Sequence, residues 1–461
     1  RKINPWLLLP GVEMAESSNK RVKPSETVPE DVLELMMSTY LPVQSLLTTR
    51  VLSKRFRETE VRSLDLDFSG IYSRRRRKVE VVGIIEKVFN QHKGSEIHRF
   101  VLLLNHIGVE DKIISWTNTC FGKNIKELVL DFSKSRIVMA IPIDFSAVES
   151  LQVLKLRWCK FEIPDNPPKG LKLLKTLSLM RTQVMVKTID AIFNNCIHLE
   201  SLELIECRMD GILSIRAQNH KKFKSLVVSF MPDLRHIRLD APTLENYKYD
   251  GYVICVNILI TNALKEANLY YTRIRRFYHQ KSDLVDTLRF YTRLSVLSTT
   301  TIFLEALTKR YVGEGRLENP PFKFENLTEF KISFITPTFC TLFDIAEFLK
   351  ECPKLKQVVI DIQNFTFEPQ MYFWEIHHKA QIQNTSNNNY LLKCLTDVKI
   401  IGYKGHWHEL DIVEFFVKNA PSLKRLELQM PKNAKNDAHT PDVARIKLIK
   451  TIFSGVKVTE V

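Results

Sequence analysis

The chain repeats a short phrase in which apolar residues stand at the first, fourth and sixth positions and mostly polar residues stand between them. The last two apolar positions are two residues apart, which is the period of a β-strand with one buried face. Helical spacing of apolar residues separates some phrases, as at 188–195 and 343–351. The phrase covers residues 125–130, 151–156, 174–179, 199–204, 223–228, 234–239, 244–249, 327–332, 355–360, 395–400 and 423–428.

The spacing of these phrases is typical of leucine-rich repeats. Four successive phrases begin at residues 151, 174, 199 and 223, in steps of 23, 25 and 24 residues, and such repeats run to about 20–29 residues. One repeat cannot bury its apolar face alone, so the repeats stack into a curved solenoid. We therefore predict an α/β fold in which the polar strand positions face the concave surface.

The predicted array is irregular in three places. Residues 223–249 hold three phrases about ten residues apart, which leaves too little chain for a helix in each. The phrase degrades between about 250 and 326, and residues 368–389 form a polar, aromatic and Asn-rich insert. A last helical stretch is predicted around 443–453.

Residues 28–60 predict three short helices. A Thr27-x-x-Glu30 capping box opens the first, and Pro42 separates the first from the second. A unit of about 33 residues is smaller than those that usually fold alone, and its apolar faces are wide for its own core. We therefore expect a partner protein to cover part of them. The apolar positions are Val32, Leu33, Leu35, Met36, Met37, Val43, Leu46, Leu47, Val51, Leu52 and Phe56.

The first 27 residues are polar and contain several prolines, so we expect them to be disordered. The chain starts at Arg1, whereas the sequence from Met14 has the small and polar residues expected at the N-terminus of a native protein. We therefore interpret residues 1–13 as upstream sequence.

Composition excludes several classes of function. Only 14 of 461 residues are Gly, and neither phosphate-binding glycine motif occurs. No Ser/His/Asp or Cys/His pairing can be argued from spacing, so we expect no catalytic, metal-binding or cofactor-binding residues. The eight cysteines are scattered singly, which indicates reduced thiols in the nucleus or cytoplasm. Cys196, Cys352 and Cys394 precede Leu-rich runs, where we expect small buried apolar groups.

The net charge of +15 attracts nucleic acid, anionic lipid or acidic proteins without choosing among them. No run of 18 apolar residues occurs, so we expect no membrane span, and we do not expect nucleic acid as a partner. Basic strand residues could bind anions, although solubilising charge explains them better. They are Lys155, Arg157, Lys175, Arg235, Arg238 and Lys331.

Three stretches of residues 28–60 closely resemble the F-box: VPEDVL at 28–33, YLPVQSLL at 40–47 and VLSKRFR at 51–57. The whole is similar to plant F-box/leucine-rich repeat proteins, whose first repeat resembles residues 65–68. The tail, with APSLKRLEL at 420–428, resembles their C-terminal FBD-type segment. The resemblance divides the chain into a disordered segment 1–27, an F-box 28–60, repeats 61–390, and FBD-like repeats with a cap 391–461.

The resemblance implies a substrate receptor of an SCF-type ubiquitin ligase. The F-box would dock a Skp-type adaptor held by a cullin, while the repeats would bind an unknown protein substrate. The receptor itself would be non-catalytic, because tethering raises the effective concentration of target near activated ubiquitin. The residues implied in the adaptor contact or its supporting core are Pro29, Val32, Leu33, Leu41, Pro42, Leu46, Leu47, Val51, Leu52 and Phe56.

Two other functions remain open from the sequence alone. One is a leucine-rich scaffold with a degenerate F-box that binds protein without ubiquitination, and the other is a basic nucleic-acid binder. The sequence also leaves open the identity of the substrate and whether a hormone or inositol phosphate binds within the repeats.

Overall fold

A computed structural model describes residues 45, 61–72, 76–140, 143–145, 148–163, 170–260, 263–274, 288–308, 322–338, 340–365, 392–430, 451 and 454–460. The ten predicted adaptor-contact residues, the insert 368–389 and nearly all of the helical stretch 443–453 lie outside them. Within 28–60 the described residue is Ser45, which is helical and exposed. The three-helix prediction for that segment therefore stays a prediction.

The described residues form one long parallel sheet of fifteen strands with a second, three-stranded parallel sheet beside it. The large sheet runs β1-β2-β3-β4-β5-β6-β8-β10-β12-β13-β14-β15-β16-β17-β18, and the small one runs β11-β9-β7. The strands are β1 Asp65–Asp67, β2 Arg99–Leu103, β3 Glu127–Asp131, β4 Val153–Arg157, β5 Thr176–Met180, β6 Ser201–Ile205, β7 Gly211–Arg216, β8 Ser225–Ser229, β9 Leu234–Asp240, β10 Asn246–Val253, β11 Cys255–Ile260, β12 Glu266–Ile274, β13 Val296–Thr300, β14 Glu329–Ser333, β15 Gln357–Asp361, β16 Asp397–Ile401, β17 Arg425–Met430 and β18 Val456–Glu460.

Helices cover the other side of the core from the large sheet. The helices at 188–195 and 343–351 that the apolar spacing predicted are confirmed as α3 and α5, with slightly shifted ends. The described helices are α1 Lys78–Gln91, α2 Glu110–Phe121, α3 Val186–Asn195, α4 Thr301–Leu307, α5 Leu342–Lys350 and α6 Trp407–Asn419, with a 3-10 turn at Arg289–Arg293.

The alternating phrase builds the core as predicted. Ten of the eleven phrases lie on strands of the large sheet, and their inward residues, such as Leu202 and Leu204, are fully buried. Each such side chain contributes roughly 2 kcal/mol through burial. The buried residues form one continuous cluster from Val61 to Leu428, so the repeats share a single core. The strand ladder also continues across residue 391, because β15 pairs with β16.

The phrase at 234–239 is the exception. It forms β9 of the small sheet, between β7 and β11, while the phrases on either side of it form β8 and β10 of the large sheet. Repeats in this region are too short for helices, so strands close the core in their place. β7 packs beside α3 and buries Leu213 and Ile215. The assumption that all three phrases face the concave surface is therefore wrong for this one.

The cysteines are free thiols. The prediction of small buried groups is confirmed for Cys196 and Cys352, and burial raises the pKa of the Cys196 thiol to about 12. For Cys394 it is wrong, because that residue is exposed beside the turn that precedes β16.

Candidate functional site

One face of the large sheet carries the polar strand positions and is a candidate surface for a partner. Strand register aligns its outward side chains into rows with one residue per strand. The middle row mixes small, apolar and charged residues, so no single charge dominates the face. This row contains Asp67, Val101, Val129, Lys155, Ser178, Glu203, Val227, Lys248, Asn268, Ser298, Lys331, Val359, Lys399, Glu427 and Lys457.

Charges at the two ends of the sheet are engaged within the protein. Near β1, a guanidinium nitrogen of Arg99 lies 3.1 Å from an Asp65 oxygen and 3.0 Å from an Asp67 oxygen. Near β17, the Lys399 ammonium lies 3.0 Å from Glu427. On β4 the exposed Lys155 has no ion pair among the described residues.

The six basic residues considered for anion binding do not come together. Lys155 and Lys331 share the middle row but lie seven strands apart, roughly 34 Å at about 4.8 Å per strand. Arg157 is half-buried, and its guanidinium lies 3.3 Å from Asp131. Lys175 precedes β5, and Arg235 and Arg238 lie on β9 in the small sheet. These residues cannot form one anion site on one face of the large sheet.

A row of left-handed residues follows the central strands. Trp158, Arg181, Glu206 and Phe230 stand one residue after β4, β5, β6 and β8, with φ between 52° and 59°. We call these four residues the C-terminal rim. Each rim N–H donates to a backbone carbonyl of the next strand in the sheet, at 2.7–3.0 Å. The acceptor is the last residue of that strand or, on the longer β10, the residue paired with Ser229. The acceptors are Met180, Ile205, Ser229 and Asp250.

The rim side chains form a connected polar and aromatic surface. The Arg181 guanidinium carbon lies 5.1 Å from the centre of the Trp158 ring, and its Nε donates to Glu206. Phe230 completes the row and is 52% exposed. A bulky residue in the left-handed region costs about 1–2 kcal/mol, and such strain concentrates at binding sites. Trp and Arg are also among the types enriched at protein-binding hot spots, and Phe is enriched at interfaces.

Sequence reasoning missed the rim, although the phrase contained a usable signal. Every rim residue stands two positions after the last apolar residue of its phrase, as Trp158 follows Leu156 and Phe230 follows Val228. Aligning the phrases places all four in one column. The alternation alone cannot show that the backbone turns left-handed there.

A separate cleft lies on the opposite side, between the end of α3 and the small sheet. Its volume is about 610 Å³, and its lining includes Arg216, Arg238, Asp240 and His220. Burial lowers the pKa of His220. One arginine is already engaged, because Arg216 lies 3.5 Å from Asp190. The cleft therefore has mixed polarity and does not select one ligand class.

Two kinds of site are not found in the described part of the chain. No group of three or more His, Cys, Asp or Glu side chains there could hold a metal ion. None of the described helices is both long enough and apolar enough to cross a membrane.

Comparison with known proteins gives the family. Residues 88–452 match the family model described as the At1g61320/AtMIF1 LRR domain. The chain is 98% identical over 450 residues to the FBD-associated F-box protein At1g61320 of Arabidopsis thaliana, covering 98% of each chain. The chain belongs to the FBD-associated F-box proteins.

More distant FBD-associated F-box proteins match along most of their length as well. The putative FBD-associated F-box protein At1g61330 of Arabidopsis thaliana is 70% identical over 450 residues, which is 97% of this chain and all of the relative. The putative FBD-associated F-box protein At5g53635 of the same plant is 25% identical, covering 86% of this chain and 93% of the relative. The resemblance to plant F-box/leucine-rich repeat proteins with an FBD-type segment is thus confirmed.

Proposed function

We propose that this protein is the substrate-recognition subunit of an SCF-type cullin ubiquitin ligase. Membership of the FBD-associated F-box proteins carries the proposal, together with the F-box pattern at 28–60. The F-box docks a Skp-type adaptor, which links the chain to a cullin. The repeats bind the target protein in the nucleus or cytoplasm. Catalysis then needs no nucleophile in this chain, because tethering supplies the effective concentration.

The adaptor contact is assigned to the apolar positions of the three predicted helices at 28–60, which we call the head. Burying a leucine side chain contributes about 1.5–3 kcal/mol, so a handful of them can carry a stable complex. About half of these residues form the core that supports the contact, and the others contact the adaptor. The set is Pro29, Val32, Leu33, Leu41, Pro42, Leu46, Leu47, Val51, Leu52 and Phe56.

Target binding is assigned to the C-terminal rim and the adjoining face of β4 to β8. Three observations support this assignment: the connected Trp158–Arg181–Glu206 contacts, the exposure of Phe230, and the backbone strain at all four positions. The sheet positions the rim rigidly, because every rim N–H is tied to the next strand.

Replacing Leu46 and Leu47 together with Asp is expected to abolish binding to a Skp-type adaptor. Two buried charges in an apolar contact should weaken binding roughly 100-fold or more. The measurement is co-purification with the adaptor, followed by titration calorimetry.

The matched control is Leu173→Asp plus Ile197→Asp, which adds the same charge at two exposed apolar residues of the repeats. This control should bind the adaptor as the unmodified chain does. Adaptor binding by the Leu46/Leu47 variant at the unmodified level would refute the assignment and favour a scaffold with a degenerate F-box.

A further inference from the structure

Four large apolar side chains are exposed on three neighbouring segments near the start of the sheet. They come from the first residues of α1, from the loop after β2 and from the loop after β3. They are between 38% and 78% exposed, although each belongs to a segment that is otherwise ordered by hydrogen bonds. The four are Val79, Ile107, Ile137 and Val138.

Hydrogen bonds tie these three segments to one another. The Lys78 ammonium donates to the Ile107 carbonyl at 2.5 Å, which joins α1 to the loop after β2. The His106 backbone N–H donates to the Ser135 hydroxyl at 2.9 Å, and its Nε2 lies 3.2 Å from the Ile137 carbonyl oxygen. The three segments that carry the apolar residues are therefore fixed relative to one another.

Exposed cations lie in the same segments as these apolar residues. Arg76, Lys134 and Arg136 are exposed and have no ion pair among the described residues. Two of the nearby carboxylates are already engaged, Glu80 by Arg77 at 3.1 Å and Glu110 by His106 at 3.3 Å. Over 76–80, 105–111 and 133–138 there are five cations and three carboxylates, the third being the exposed Asp111. The surface therefore carries a net positive charge, and more of its cations than of its carboxylates are free of ion pairs within the described residues.

One of the three segments adjoins the C-terminal rim. The loop after β3 leads to Met139, whose N–H donates to the Trp158 carbonyl at 2.8 Å. It follows β2 and β3 on the same edge of the sheet that the rim follows at β4 to β8.

We propose that Val79, Ile107, Ile137 and Val138, with Arg76, Lys134 and Arg136, form a docking site for an acidic protein segment that carries apolar anchors. We call these seven residues the basic apolar patch. The partner's apolar side chains cover the four apolar residues, and its carboxylates pair with the three cations. Charge complementarity favours an acidic partner. Membrane surfaces are bound by amphipathic helices that lie flat on them, whereas this site is built mostly from loops, so we favour a protein segment as the partner. This binding does not depend on adaptor docking or ubiquitin transfer.

The test uses the full chain and a fluorescein-labelled peptide in which leucines alternate with pairs of glutamates. We expect saturable binding that weakens as salt is raised, and at least 10-fold weaker binding by Arg76→Glu plus Lys134→Glu. Val79→Ser plus Ile137→Ser should weaken binding similarly, with an unchanged unfolding transition because both side chains are exposed.

The matched charge control is Lys221→Glu plus Lys222→Glu, two exposed lysines ahead of β8, which should bind the peptide normally. A peptide with lysines in place of the glutamates should not bind. The proposal is overturned if the patch variants bind the acidic peptide as tightly as the unmodified chain, or if that peptide does not bind at all. It is also overturned if the chain binds phosphatidylserine vesicles in preference to the peptide.

Discussion

Replacing Gly402 with Ala is expected to destabilise the C-terminal repeats by about 4 kcal/mol, the sum of backbone strain and steric overlap. Gly402 follows β16, has φ +83° and donates its N–H to the Gln429 carbonyl at 2.8 Å. It therefore occupies the same position in its repeat as the rim residues occupy in theirs. An added Cβ would lie 2.2 Å from Gln363 Cα and 2.4 Å from Gln363 N. Backbone atoms cannot move aside as a flexible side chain can.

The matched control for this change is Gly211→Ala, at the start of β7. Gly211 has φ +90°, but nothing lies within 4 Å of its added Cβ. It should therefore lose only the strain contribution, about 1–2 kcal/mol. Urea unfolding of both variants measures the difference. Equal destabilisation by the two changes would show that the close approach of Gln363 does not constrain Gly402.

The Glu409 carboxyl is expected to make stability depend on pH between about 4.5 and 7. Burial raises the pKa of Glu409 to about 7, although the backbone N–H groups of Lys404 and Gly405 donate to it at 2.7 and 2.8 Å. The folded pKa exceeds the unfolded one, so the folded state keeps a proton that the unfolded chain releases. The contribution is therefore fully present below the unfolded pKa and lost as pH rises through the folded pKa.

The Glu409→Gln variant tests this directly, since its amide does not titrate. Relative to the variant, the unmodified protein should lose about 3 kcal/mol between pH 4.5 and pH 7.5, at about 1.4 kcal/mol per pKa unit. Urea unfolding of both proteins across that range gives the difference, in which the other carboxylates cancel. A difference that stays constant with pH would contradict the proposed burial effect.

The sequence predicts the large sheet well because alternation is a local signal. Leu202 and Leu204 are two residues apart, and their burial follows from the strand period alone. Helix α5 is equally predictable from the sequence, since its apolar spacing and the Thr341–Asp344 capping box are both local signals. Features that depend on residues far apart in the chain cannot be predicted in this way. Nothing near 234–239 distinguishes a strand of the small sheet from one of the large sheet.

The region between about 250 and 326 was hard to predict for the same reason, because β12 and β13 complete the ladder between β10 and β14, which no short phrase can show. The candidate site was hard to predict as well. Phe230 and Gly402 occupy equivalent positions, yet one projects a ring into solvent and the other meets the Gln363 backbone. That distinction depends on the length and path of the neighbouring repeat. Sequence spacing alone does not contain it.

The most direct test of the receptor account is the ubiquitin carried by proteins labelled in proximity to this chain in plant cells. We predict that the unmodified chain and the Leu46→Asp plus Leu47→Asp variant label the same target proteins, that the variant no longer labels the adaptor and the cullin, and that ubiquitin conjugates on the targets depend on the unmodified head. A folded Phe230→Asn plus Arg181→Ala variant should instead lose the labelled proteins themselves. Equal ubiquitin conjugation with the unmodified chain and the head variant would contradict the account.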